Sequence, residues 1–165
     1  MSKYSKSGYW NTEDIKVTDL NQNQRFEGNN DFVFNMYINN ALEDLEKPKY
    51  VSGSLNYEVT DTIYEGHQAQ NLRVTFKATD NIGFNTAMIR LGCDVQEYSF
   101  NDYYGNYDKE TQMFTMDVPI TEYFKTGDYY VEFITLVDEA LTHIGIPFSN
   151  SPEHEKRECI YIESP

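Results

Sequence analysis

Residues 121–138 read TEYFKTGDYYVEFITLVD, and residues 2–19 read SKYSKSGYWNTEDIKVTD. A shift of 119 residues lays one stretch on the other without a gap. Tyr4 meets Tyr123, Lys6 meets Lys125, Gly8 meets Gly127, Glu13 meets Glu132, Ile15 meets Ile134 and Asp19 meets Asp138. Ser7 and Thr126, Trp10 and Tyr129, and Val17 and Leu136 are chemically alike as well. The shared residues do related work: a turn glycine, a strand aromatic, a terminal aspartate. The match therefore reads as an internal repeat. It implies that the chain starts partway through one repeat, carries a complete second one, and is a piece of a longer polypeptide.

At 165 residues the chain has room for one well-buried core, or one domain with a fragment beside it. Its 27 acidic and 13 basic residues give a formal net charge of −14, which opposes nucleic acid and anionic membrane surfaces as partners. The same charge suits divalent cations. No apolar run approaches the ~20 residues needed to span a bilayer, so membrane insertion is not expected. The opening residues lack a basic, then apolar, then small-residue leader. In a piece of a longer chain that says nothing about location.

Working outward, Tyr9 to Asp19 reads as a strand and Phe32 to Asn39 as another, joined by a polar loop from Leu20 to Asp31. Ala41 to Lys49 is a charged connector closed by Pro48, which biases Lys47 to an extended shape. From Tyr50 the alternation is clean: Val51, Gly53, Leu55, Tyr57 and Val59 share one face of an expected strand. Glu65 and Gly66 make a turn. Leu72, Val74, Phe76 and Ala78 then alternate up to Asp80. After a turn at Asp80 to Gly83, Ile89, Leu91, Cys93 and Val95 point one way. Residues 96–110 form a tyrosine-rich excursion with a short edge strand. Phe114, Met116, Val118 and Ile120 alternate next, with Pro119 favouring an edge. The apolar run from Tyr129 to Val137 suits a central strand. A loop with Pro147, Pro152 and the charged run 153–158 leads to a last strand at Cys159 to Ile162. Short strands at intervals of about 8–12 residues, without an amphipathic helix, predict an all-β antiparallel sandwich.

This order resembles the immunoglobulin-like repeats of bacterial surface and secreted proteins. The resembling features are Asp44 four residues before Pro48, the strand end Ala78-Thr79-Asp80-Asn81 with Gly83 in its turn, and Thr126-Gly127 with Tyr129 leading into a strand that ends at Asp138. The first copy keeps an Asp-x-x-x-Asn ending at Asp19 to Asn23, whereas the second has Thr142 in the last place. The resemblance implies residues 1–39 as the last two strands of a partial repeat, 40–47 as a linker, and 48–165 as a complete immunoglobulin-like β-sandwich. It implies a non-catalytic adhesive or spacer role in a secreted or cell-surface protein. Neighbouring repeats of the same polypeptide are the expected partners. Self-association through residues 4–39 is a second route, because Trp10, Ile15, Val17, Phe32, Phe34, Met36 and Ile38 cannot be buried by two isolated strands.

In an antiparallel seven-strand order, the strand from Tyr50 starts at the end where those closing at Asp80 and Asp138 finish. Asp44, Glu46, Asp80, Asn81, Asp138 and Glu139 should then gather at one pole. Crowded carboxylates repel, and a hard cation with six to eight oxygen ligands relieves them, so Ca2+ is the expected cofactor at the junction between repeats. The alternative job for Asp80 and Asp138 is to cap turns by accepting backbone N–H bonds. In the resembling fold Cys93 and Cys159 share a sheet with the 129–138 strand between them. That spacing exceeds the ~7 Å Cα limit for a disulfide, and predicts two free, largely buried thiols.

No enzyme is read here. His67, His143 and His154 fall in turn or loop sequence without a nucleophile-and-base context. The other function class is carbohydrate binding, with Tyr98, Tyr103, Tyr104 and Tyr107 as flat faces for sugar C–H groups.

Overall fold

The computed structural model of the protein describes residues 2–11, 14–28, 35–94 and 101–163. The chain divides into two compact units, Met1–Asp44 and Leu45–Pro165. Among the described residues no helix is long and apolar enough to cross a membrane.

Among the described residues the first unit holds four strands: β1 (Gly8–Asn11), β2 (Asp14–Thr18), β3 (Gln24–Gly28) and β4 (Asn35–Ile38). β1 pairs antiparallel with β4, from Gly8↔Ile38 to Asn11↔Asn35, and β2 with β3, from Asp14↔Gly28 to Thr18↔Gln24. Two strands were expected, and β3 lies inside the segment read as a polar loop. A tight turn creates it. Asp19 Oδ1 accepts the N–H groups of Asn21 (2.8 Å) and Asn23 (2.9 Å), and Gln22 takes a left-handed φ of 68°. The chain is thus folded straight back along β2. Residues 29–34, including Phe32 and Phe34, lie outside the described residues.

The second unit is an all-β sandwich of two sheets. Its strands in order are β5 (Lys49–Tyr50), β6 (Asn56–Tyr64), β7 (His67–Thr79), β8 (Phe84–Cys93), β9 (Asn101–Tyr104), β10 (Asn106–Asp108), β11 (Met113–Ile120), β12 (Gly127–Asp138), β13 (His143–Ser149), β14 (Glu155–Lys156) and β15 (Cys159–Ile162). One sheet runs β10-β11-β7-β5, with β6 also paired to β7. The other runs β14-β13-β12-β8-β9, with β15 also paired to β12. All pairings are antiparallel except the short β13–β14 contact.

The expected alternation holds where it matters. Leu72, Val74, Phe76, Ala78, Ile89, Leu91, Phe114, Met116, Val118 and Ile120 all lie in one buried cluster shared by the two sheets. Pro119 is tolerated because β10 flanks β11 only at Met113 to Thr115, so the missing N–H falls beyond that neighbour. β12 is central, with β8 on one side and β13 and β15 sharing the other.

Two boundaries differ from the reading of the sequence. The strand expected from Tyr50 is broken: Gly53 takes a φ of 70° in a turn closed by Ser54 N–H to Val51 O (3.2 Å), and β6 begins only at Asn56. Alternation ran through that turn by chance. Pro147, read as loop, sits within β13, paired to Phe133. The cysteines flank β12 through Tyr129↔Cys93 and Tyr130↔Cys159, and both are free. They are less buried than expected, Cys93 being half-buried and Cys159 exposed.

The two units share one pattern in detail. The 119-residue shift carries the β2–β3 register onto β12–β13, since Phe133 pairs with Pro147 and Val137 with His143. Likewise Gly127↔Ile162 and Tyr130↔Cys159 repeat Gly8↔Ile38 and Asn11↔Asn35, now with β15 displaced by 124 residues instead. Trp10 Nε1 donates to Lys6 O (3.2 Å) where Tyr129 Oη donates to Lys125 O (2.8 Å). Ser5 N–H to Ser2 O (3.1 Å) recurs as Phe124 N–H to Thr121 O (2.9 Å). Even the backbone exception recurs, with Leu141 at φ 68° in the place of Gln22.

Candidate functional site

The pole where β7 and β12 finish is built from turns that aspartates hold shut. Asp80 follows β7, and its Oδ1 accepts the N–H groups of Ile82 and Gly83, each at 3.0 Å. Gly83 has a φ of 110°, which side-chain-bearing residues rarely adopt, and its carbonyl takes the N–H of Glu139 at 3.1 Å. That bond ties the turn after β7 to the loop after β12.

Asp138 closes β12 and is fully buried. Its Oδ1 accepts the Thr142 N–H (2.8 Å) and its Oδ2 the Thr142 hydroxyl, while its own N–H donates to Thr142 O (3.1 Å). Thr142 therefore does the work of Asn23, which gives Asp19 Oδ1 its N–H and Asp19 Oδ2 its Nδ2 at 2.9 Å each. The departure from asparagine keeps a side-chain donor at the same place. In the first copy the Asn23 side chain holds the Asp19 carboxyl below the ordinary carboxylate range. The Thr142 hydroxyl also stands 3.3 Å from the carbonyl oxygen of Glu46.

Asp44, expected among the ligands, is the last residue of the first unit. The connector leads directly into β5, and Lys49↔Thr79 fixes β5 against the last residue of β7. Within the second unit, one carboxylate oxygen each from Asp80 and Asp138 lies within 4.8 Å of the other. Asp138 is buried and Asp80 half-buried. Calcium–oxygen bonds of 2.3–2.6 Å allow ligand oxygens up to about 5 Å apart, so the spacing fits a single Ca2+. Two carboxylates held this close and away from bulk water repel each other.

The second unit also carries the remaining expected ligands. Glu46 reaches Lys49 Nζ at 3.8 Å on the surface, Asn81 is exposed, and Glu139 Oε1 lies over Gly83. Turn capping by Asp80 and Asp138 is present in full, and the approach of the two carboxylates to each other comes in addition to it.

Among the described residues, Tyr103, Tyr104 and Tyr107 stand in different surroundings. Tyr107 packs on Phe84 (4.6 Å between centroids) and Phe114 (4.7 Å), and its hydroxyl donates to Ala78 O at 3.2 Å. Tyr103 packs against the core, Tyr104 faces solvent, and Tyr98 lies outside the described residues. The histidines are exposed, and the 2.9 Å contact of His154 Nδ1 with Ser149 Oγ joins residues of one local turn.

Sequence reasoning missed Tyr57 as a polar link between the sheets. Its hydroxyl oxygen accepts the Val131 N–H at 3.0 Å. No signal could have found it, since Tyr57 sits in an apolar alternation and its partner is backbone. No family model matches the chain, and no curated protein or solved structure matches it either.

Proposed function

We propose that the protein is a non-catalytic structural module, an immunoglobulin-like repeat that acts as a spacer in a secreted or cell-surface polypeptide, and that Ca2+ stiffens the connector end of its sandwich. The observation that carries this reading is the approach of the Asp80 and Asp138 carboxylates to within 4.8 Å at the pole where β7 and β12 finish. Both are already fixed by turn hydrogen bonds, so an ion would bind a prearranged pair. The ion would supply charge neutralisation and tie the two turns together. Asp80 and Asp138 would hold it, with backbone carbonyls and water filling its shell. The repeated registers and the recurring aromatic-to-backbone bonds support the repeat, and a net charge of −14 suits a cation-rich medium. Neighbouring repeats are the natural partners of such a spacer.

Calcium titration after chelation tests the reading. Heat of binding near one ion per chain is expected. A ligand present at a hundred times its dissociation constant adds about 2.7 kcal/mol to folding, read as a melting temperature higher by several degrees. Asp80→Asn keeps an oxygen acceptor for the turn N–H groups, so it should raise the melting point in chelator, by relieving repulsion with Asp138, and abolish the response to calcium. No heat and no thermal shift in the parent chain would sink the proposal.

A further inference from the structure

The position that is sealed in the second unit is open in the first. Tyr129 is 5% exposed, and Trp10, its counterpart with the same hydrogen bond, is 39% exposed. Met36 is 43% exposed at the place of the half-buried Ile160, and Ile38 is half-buried at the place of the fully buried Ile162. In the second unit two things cover these positions. β8 pairs along the free edge of β12, and the sheet carrying β7 and β11 lies across its face, with Leu72, Val74, Phe76 and Phe114 in the shared core. Both come from residues 45–120. Among the described residues the first unit has no strand in the place of β8, because its sheets are the pairs β1–β4 and β2–β3.

We infer that the first unit is the receiving half of a sandwich and that its occupant is an opening half of the kind formed by residues 45–120, joined as in the second unit on the amino-terminal side of the closing half. The second unit itself defines the chemistry of that occupant. It must offer a β8-type edge strand, with apolar residues at the places of Ala87, Ile89 and Leu91, backed by a sheet that is apolar on its inner face. A second copy of this chain cannot supply it, because its β8 is already paired on both sides, with β12 and β9. The inference rests on the repeat reading proposed above and not on the cation.

The single tryptophan makes the test direct. A chain with residues 45–120 duplicated in front of Ser2 lets Ile120 meet Ser2 as it meets Thr121. Trp10 emission should shift to the blue and its acrylamide quenching should fall several-fold, matching the burial of Tyr129. Unchanged quenching in a fused chain whose added segment is folded would overturn the inference. If the fused chain does not fold, the parent chain decides. A peptide of the sequence 84–93, with Cys93→Ser, should slow amide exchange across β1 and β2 by about tenfold or more, as a gained strand partner does. No slowing at millimolar peptide overturns the inference, and so does concentration-dependent burial of Trp10 in the parent chain alone. A lost calcium response leaves this inference standing, and a failed fusion leaves the calcium response standing.

Discussion

Phe114→Ala is expected to lower the stability of the second unit by about 3–5 kcal/mol, the largest loss from any single truncation considered. Phe114 is 1% exposed and sits among three other rings: Phe76 at 5.3 Å, Phe84 at 5.0 Å and Tyr107 at 4.7 Å between centroids. Removing its ring leaves a cavity that those neighbours cannot readily fill. Tyr107 is held by its bond to Ala78 O, and Phe76 lies on the central part of β7, where pairing to β11 fixes the backbone. Limited collapse puts the cost near the top of the range for aromatic truncation. Urea unfolding followed by tyrosine fluorescence would measure it, and a loss below about 1 kcal/mol would mean that the cluster repacks freely. The matched comparison is Trp10→Ala, which removes a larger ring from a half-open surface and should cost far less.

That contrast also marks what could be read from the chain. In β7, β8 and β11 one face is sealed and the other wet, so alternation in the sequence reports the core residue by residue. Where a strand has no such contrast it vanishes from the pattern. β3 exposes Gln24 and Arg25, and β13 carries Gly145 and Pro147, so neither looks like a strand. They are the same strand of the two units by register, yet residues 24–28 and 143–147 share no identity. Their register comes from the loop before them, where an aspartate accepts two bonds from the fourth residue on and the third residue turns left-handed. Turn chemistry placed these strands, and composition did not.

The pole of the second unit was legible to the same depth. Antiparallel parity assigns loops to poles, so it could gather Asp80 and Asp138 without coordinates. Parity does not set side-chain direction within a loop, so Glu46, Asn81 and Glu139 were named by position alone. The path of the tyrosine-rich stretch was hidden for a related reason. β9 pairs with β8 and β10 with β11, so the chain changes sheets at Gly105, between Tyr104 and Tyr107. A run of tyrosines cannot announce that crossing.

Tyr57→Phe should cost about 1–3 kcal/mol at neutral pH and make the protein less sensitive to alkali. Tyr57 belongs to β6 in one sheet, while Val131 belongs to β12 in the other, at the point where the β12–β8 register shifts. The shift leaves the Val131 N–H to the Tyr57 hydroxyl, which also donates towards Glu158 O at 3.3 Å. Phenylalanine fills the same space and leaves that N–H bare inside the sandwich, so the neutral-pH cost is the desolvation of one buried donor. The alkaline effect has the opposite sense. Burial pushes the Tyr57 hydroxyl up to about 12 from the ordinary 10.0, so the folded state keeps its proton after the unfolded chain has lost it. The stabilisation is complete below pH ~10 and is lost as pH climbs towards ~12, at roughly 1.4 kcal/mol per unit, or about 2–3 kcal/mol in all. Tyr129, also pushed up to about 12, makes both proteins weaken in alkali. Only the parent carries the Tyr57 share. Urea midpoints at neutral pH and at several values between pH ~9.5 and ~11.5 should therefore show the gap between parent and variant closing as pH rises. Parallel curves would mean that the Tyr57 hydroxyl titrates alike in the folded and unfolded chain, and that the bond across the sheets is not holding its proton.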